Sequence, residues 1–117
     1  MGIKIVKDKI SRAEVKKMAQ GGFGEMVKAV VDVQKGILAL GGELHADGES
    51  MLLQQGSEQK DLWGINIYPE KTKDEMIEFS SLINVRPQAN NRSIFIENEK
   101  IKVKILDIIN KIVDYGS

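Results

Sequence analysis

Two alternating runs joined by a tight turn constrain this chain more than any other feature. Val27, Ala29, Val31 and Val33 alternate with Lys28, Asp32 and Gln34, and Ile37-Leu38-Ala39-Leu40 follows directly after Lys35-Gly36. Period-two alternation marks a half-buried strand, because successive side chains leave opposite faces. Gly36 can take a positive φ at little steric cost, so the chain can reverse there within a few residues. Strands joined this tightly run antiparallel, since parallel neighbours need a long crossover.

The remaining elements build on that hairpin. Ile3-Lys4-Ile5-Val6 is a short strand. Ser11-Arg12-Ala13-Glu14 has capping-box spacing, and Val15, Met18 and Ala19 then repeat along one helical face until Gly21-Gly22 stops it. Gly41-Gly42 either continues the second hairpin strand through a bulge or breaks it. Asp47-Gly48 reads as a turn leading to an apolar strand at Met51-Leu52-Leu53, followed by a polar loop from Gln54 to Asp61. Leu62 to Tyr68 is a further strand, with Trp63, Ile65 and Ile67 on one face and Gly64, Asn66 and Tyr68 on the other; Pro69 ends it. Ile77, Phe79, Ile83 and Val85 carry alternation to Arg86, which Pro87 biases toward extended geometry. Ile101, Ile105, Ile108, Ile109 and Ile112 form a stripe of period near 3.6, so the C-terminal segment is an amphipathic helix, with Gly116 just past its end. The pattern predicts an α+β fold: a mainly antiparallel sheet of about five or six strands, with the N-terminal and C-terminal helices packed on one face. At 117 residues the chain is the size of one domain.

Composition narrows the classes of function. Seventeen basic and seventeen acidic residues leave no net charge, so no overall field draws the chain to nucleic acid or to an anionic membrane. With no cysteine there can be no disulfide, no thiol nucleophile and no thiolate-held metal. No apolar run is long enough to span a bilayer, and the first residues lack the apolar core of a signal peptide. Met1-Gly2 opens like a myristoylation signal, but Val6 stands where Ser or Thr is required. The expectation is a cytoplasmic domain.

Three stretches can carry chemistry. In Glu43-Leu44-His45-Ala46-Asp47 the only histidine of the chain stands between acidic residues at two-residue spacing. If extended, Glu43, His45 and Asp47 share a face, and His45 can act as a general base with Asp47 or Glu43 as its orienter. Strand geometry puts the outer Cβ atoms about 13 Å apart, too far for one metal unless a glycine bends the chain, so no metal site is assigned. The competing reading is a solvated strand face with Asp47 in an Asx-turn.

From Asn84 to Arg92, two guanidinium groups and four side-chain amides stand within one short run. Arginine's planar fork suits carboxylate or phosphate, so Asn84, Arg86 and Arg92 are candidate ligands for a small anion, alongside Glu43 and His45. The bland alternative pairs Arg86 with a carboxylate of a neighbouring strand and uses the asparagines for turns. Third, Trp63 beside Gly64 can form a stacking surface, but its phase with Ile65 and Ile67 favours the core. Gly22-Phe23-Gly24 lacks the third glycine of a dinucleotide fingerprint, and no P-loop or nucleophile-elbow pattern occurs.

Gly42-Glu43-Leu44-His45-Ala46-Asp47, Leu62-Trp63-Gly64-Ile65-Asn66-Ile67-Tyr68-Pro69 and Ile83-Asn84-Val85-Arg86-Pro87 together resemble a family of small bacterial proteins of unknown function. The resemblance runs over nearly the whole chain and implies a self-contained domain. It brings no activity, cofactor or assigned residue. Three readings follow from the residues: a domain binding a small anionic or polar ligand, an enzyme (a hydrolase or lyase) using His45, and a homodimeric interaction module built on an edge strand or the isoleucine stripe.

Overall fold

The computed structural model describes residues 2–115. In chain order its elements are β1 (Ile3–Val6), β2 (Ile10–Ser11), α1 (Arg12–Gln20), β3 (Val27–Asp32), β4 (Ile37–Gly41), α2 (His45–Gln54), β5 (Leu62–Ile67), β6 (Ile77–Glu78), α3 (Glu99–Ile112) and β7 (Val113–Asp114). Single 3-10 turns occur at Gln59–Asp61, Leu82–Asn84 and Pro87–Ala89. This is the α+β architecture that the alternation implied. Five strands form one antiparallel sheet in the order β1-β4-β3-β5-β6, and β2 pairs with β7 in parallel.

The central hairpin forms because Asp32 organises its turn. Asp32 pairs with Ile37, so β3 ends one residue before Val33. Its Oδ1 accepts from the Gln34 and Lys35 amides, each at 2.9 Å, and Ser57 Oγ donates to Oδ2 at 2.6 Å. A carboxylate only 1 % exposed is thus met by three donors, as a buried acceptor requires.

Helix α1 begins as the capping box predicts, with the Glu14 amide donating to Ser11 Oγ at 3.1 Å. The Glu14 carboxylate does not reach back to the cap; it pairs with Lys4 at 2.5 Å. In α3, Asn98 Oδ1 accepts from the Lys100 and Ile101 amides. Ile105, Ile109 and Ile112 of α3 join Val15 and Ala19 of α1 over Val31, Leu40 and Ile65 of the sheet. Each buried isoleucine contributes roughly 2 kcal/mol, well above the few tenths by which it falls short of alanine as a helix former. The N- and C-terminal helices therefore share one face, and the isoleucine stripe is internal. Gly116 lies outside the described residues.

Two expectations are corrected. Residues 43–47 are not a strand, and Asp47-Gly48 is not a turn, because α2 starts at His45 and runs through Met51-Leu52-Leu53. Gly41, the last paired residue of β4, and Gly42, both at positive φ (105° and 86°), end the sheet strand and lead into that helix. Helix α2 covers the second face of the sheet, where Leu52 packs with Val30, Ala39 and Leu62. Its inward residues are His45, Gly48 and Leu52, a helical spacing in which two of the three are not apolar. Gly48 stands there because the helix lies so close to the sheet. A Cβ would sit 3.1 Å from Val30 Cγ2 and 3.3 Å from the Ala39 Cβ.

The second correction concerns residues 77–86. Only Ile77–Glu78 pairs as a strand; the chain then leaves the sheet through the 3-10 turn at Leu82–Asn84. No helix among the described residues is long and apolar enough to cross a membrane.

Candidate functional site

His45 opens α2 and is 9 % exposed. Its Nε2 lies 2.8 Å from the Ile65 carbonyl oxygen of β5. A carbonyl can only accept, so Nε2 carries the proton and Nδ1 is left as the acceptor of the neutral ring. Burial holds the imidazole pKa below its ordinary 6.5, the Ile65 carbonyl opposes that shift, Lys28 adds to it and the Asn66 side chain opposes it. The neutral ring is the form present near pH 7.

His45 lines a cavity of about 460 Å³ together with Lys28, Asn66, Ser80 and Ser81. Leu44, Leu82, Ile83 and Ile94 supply its apolar wall. The sheet sets the polar groups in a row, because Lys28 on β3 pairs with Asn66 on β5, which pairs with Glu78 on β6. Asn66 Nδ2 donates to Glu78 Oε1 at 2.7 Å and to the Ser80 carbonyl at 3.4 Å. Asn66 Oδ1 is buried and meets no partner in strict hydrogen-bond geometry among the described residues, although the Asn66 side chain lies close enough to the His45 ring to favour its charged form.

The arginine–amide stretch is engaged differently. β6 is too short to pair with the whole of β5, and side chains close the rest of that edge. Asn84 takes the Gly64 amide on Oδ1 at 2.8 Å and returns Nδ2 to the Gly64 carbonyl at 3.0 Å, the exchange a neighbouring strand would make. Its Nδ2 also reaches the Ile94 carbonyl at 3.1 Å, and the residue is 0 % exposed. Arg86 donates Nη1 to the Gln59 carbonyl at 2.5 Å and Nη2 to the Leu62 carbonyl, and its guanidinium lies 4.1 Å from the centre of the Trp63 ring. Asn91 Nδ2 reaches the Asn84, Ser93 and Phe95 carbonyls, while its Oδ1 accepts from the Glu97 amide. Trp63 belongs to the core, in phase with Ile65 and Ile67.

The predicted residues thus separate. His45 lines one cavity, whereas Arg86 lines another of about 410 Å³ with Gln59, Lys60, Gln88 and Ala89. Glu43 and Asp47 are exposed, and the ring partner of His45 is the Ile65 carbonyl rather than either carboxylate. Arg92 is exposed as well. Asn84 is wholly buried in backbone pairing. Among the described residues no group of three or more His, Asp or Glu side chains is placed to hold a metal ion. Lys28, Asn66 and Ser80 escaped the sequence reading. Their signal was Asn66 itself, an amide on a strand face, and it gained meaning only once α2 was seen to cover that face.

The three segments that carried the family resemblance meet around β5: His45 bonds Ile65, Asn84 bonds Gly64, and Arg86 bonds Leu62. A family model described as "Protein of unknown function (DUF5674)" matches residues 4–112. The chain belongs to the DUF5674 family. No curated protein and no solved structure matches it. The DUF5674 chain therefore has its functional reading from its own geometry. That geometry presents a cavity at His45 lined by several polar side chains, and a sheet edge where Asn84 and the Arg86 Nη atoms meet backbone carbonyls while Arg86 Nε and the neighbouring Trp63 Nε1 are buried without partners.

Proposed function

We propose that this DUF5674 domain binds a small polar ligand in the cavity formed by His45, Asn66 and Lys28 beneath the N-terminal turn of α2. The observation that carries this is convergence: a cavity of about 460 Å³ joins an apolar wall to a few polar groups, one of them a buried histidine. Binding sites for small molecules have that make-up. Two other cavities of similar size are weaker candidates. In the one beside β1, about 410 Å³, Lys4 and Glu14 pair with each other. In the Arg86 cavity the guanidinium is turned to backbone carbonyls.

A thermal-shift screen of small amides, alcohols, carboxylates and phosphates tests this. A ligand present at a hundred times its Kd adds about 2.7 kcal/mol of stability. Compounds in the cavity stabilise the parent chain and not Asn66→Leu, whose side chain removes the polar floor. Hits that stabilise both proteins equally contradict the assignment.

One observation also favours general-base catalysis by His45: its ring is neutral near pH 7 and held in one tautomer by the Ile65 carbonyl. In this hydrolase or lyase reading that carbonyl, and not Asp47 or Glu43, is the orienter. An activity found for the chain that survives His45→Gln with the fold intact rules it out.

A further inference from the structure

We infer that β1 is a docking edge for a second copy of this chain: two β1 strands pair antiparallel across a twofold axis normal to the sheet, with Ile5 opposite Ile5, and join the two sheets into one.

The two ends of the sheet are finished differently. At one end β6 is two residues long, and Asn84 and Arg86 bond the Gly64 and Leu62 backbone along the rest of β5. At the other end β1 pairs with β4 alone among the described residues. In an antiparallel ladder alternate residues of an edge strand turn their N–H and C=O outward. Those of Ile3–Val6 meet no partner among the described residues. Such an edge is commonly guarded by a lysine. Here the only cation on the strand, Lys4, is drawn aside, its Nζ lying 2.5 Å from the Glu14 carboxylate of α1. The edge is left electrically neutral, and the apolar Ile3 and Ile5 on it are only half-buried.

Self-pairing restricts the register. Residues directly opposite in an antiparallel pair share a face, so the axis passes through a residue rather than between two. Axes through the central residues, Lys4 or Ile5, overlap the most strand. Ile3 and Ile5 face α2, where they pack against Val30, Ala39, Leu52 and Leu62. Val6 lies in the cluster under α1 and α3, the side to which Lys4 reaches. An axis through Lys4 sets two ammonium groups against each other, a destabilising pair. An axis through Ile5 sets isoleucine against isoleucine on the α2 face, and Lys4 against Val6 of the second copy on the other. A cavity of about 410 Å³ between β1 and α1 leaves room on that side. The match is to the strand itself. An edge that selected a foreign strand by charge would present an unpaired charge, and this one does not.

The ladder is short, so the interface is smaller than that of a stable dimer and a Kd on the order of 100 μM is expected. Sedimentation of the full chain across a dilution series, with backbone amide exchange measured at both ends of the series, tests this. The expected result is a dimer at the concentrated end, with slowed exchange of the outward β1 amides and none at β6. Ile5→Lys places ammonium groups on the axis and is expected to weaken dimerisation more than about tenfold. Should it fail to fold, Glu14→Gln releases Lys4 toward the edge, for an expected weakening of about threefold. A chain still monomeric at about ten times that Kd overturns the inference. So does a dimer whose β1 amides exchange as fast as the monomer's, or a folded variant of this pair that dimerises as tightly as the parent.

Discussion

Asn84 and Asn66 are both buried asparagines set against β5, and they differ in what their amide groups meet. Asn84 has both ends engaged, matching the Gly64 amide and carbonyl and reaching Ile94 as well. Asn66 lines the His45 cavity with its nitrogen engaged by Glu78 and Ser80, while its oxygen is buried and meets no partner in hydrogen-bond geometry among the described residues. A polar side chain with every group met by backbone builds the fold. One that lines a cavity is placed to contribute to recognition there. The same contrast separates the two sequence stretches: Asn84 to Arg92 reads as a site and its amides and Arg86 Nη atoms close a sheet edge, whereas Asn66, in an ordinary-looking strand, lines the cavity proposed to bind a ligand.

Substitutions break or sharpen this contrast, the largest effect first. Asn84→Ala leaves the Gly64 amide and carbonyl buried without partners, and urea unfolding should show a loss of about 3 kcal/mol. A loss under about 1 kcal/mol would mean that the edge does not depend on this pairing. Arg86→Lys keeps the charge but loses the fork that spans the Gln59 and Leu62 carbonyls, for an expected loss of about 1–2 kcal/mol in the same assay. A variant as stable as the parent would free Arg86 for ligand binding.

Stability should also respond to pH through His45. Its pKa is lowered on folding, chiefly by burial, so the unfolded chain binds the proton more readily. Its contribution is therefore complete above the ordinary 6.5 and declines as pH falls below that value toward the folded pKa. Denaturation midpoints measured across this range should fall with pH in the parent and fall less in His45→Gln; parallel profiles would contradict the lowered pKa. The smallest effect is expected at Asn66→Leu. It loses a bond to the exposed Glu78 and also removes an unpartnered buried oxygen, so stability should change by less than about 1 kcal/mol.

Much of the fold was legible because its signals were local. The alternation of β3 and β4, the Ser11 cap of α1 and the isoleucine stripe of α3 each declare themselves within a few residues. Helix α2 did not, for a physical reason. Its inward face is His45, Gly48 and Leu52; the glycine is there to admit Val30 and Ala39 from strands distant in sequence. Read locally, Asp47-Gly48 is a turn. The strand expected from Ile77 to Arg86 failed similarly, since its later residues close an edge through side chains rather than through backbone pairing. His45 stood out by its rarity, but its partners did not. The carbonyl of Ile65 leaves no mark in a sequence, and Asn66 acquires its role only from Glu78 on one side and α2 on the other.

The contrast between the two asparagines can be read directly from their side-chain amide signals in one NMR spectrum, recorded while a compound that stabilises the chain in the thermal-shift screen is added. The structure predicts that the Asn66 signals move, together with the His45 ring, while those of Asn84 stay fixed. Movement of Asn84 and of the Arg86 guanidinium with Asn66 unchanged would contradict it, and would place recognition at the sheet edge instead of in the His45 cavity.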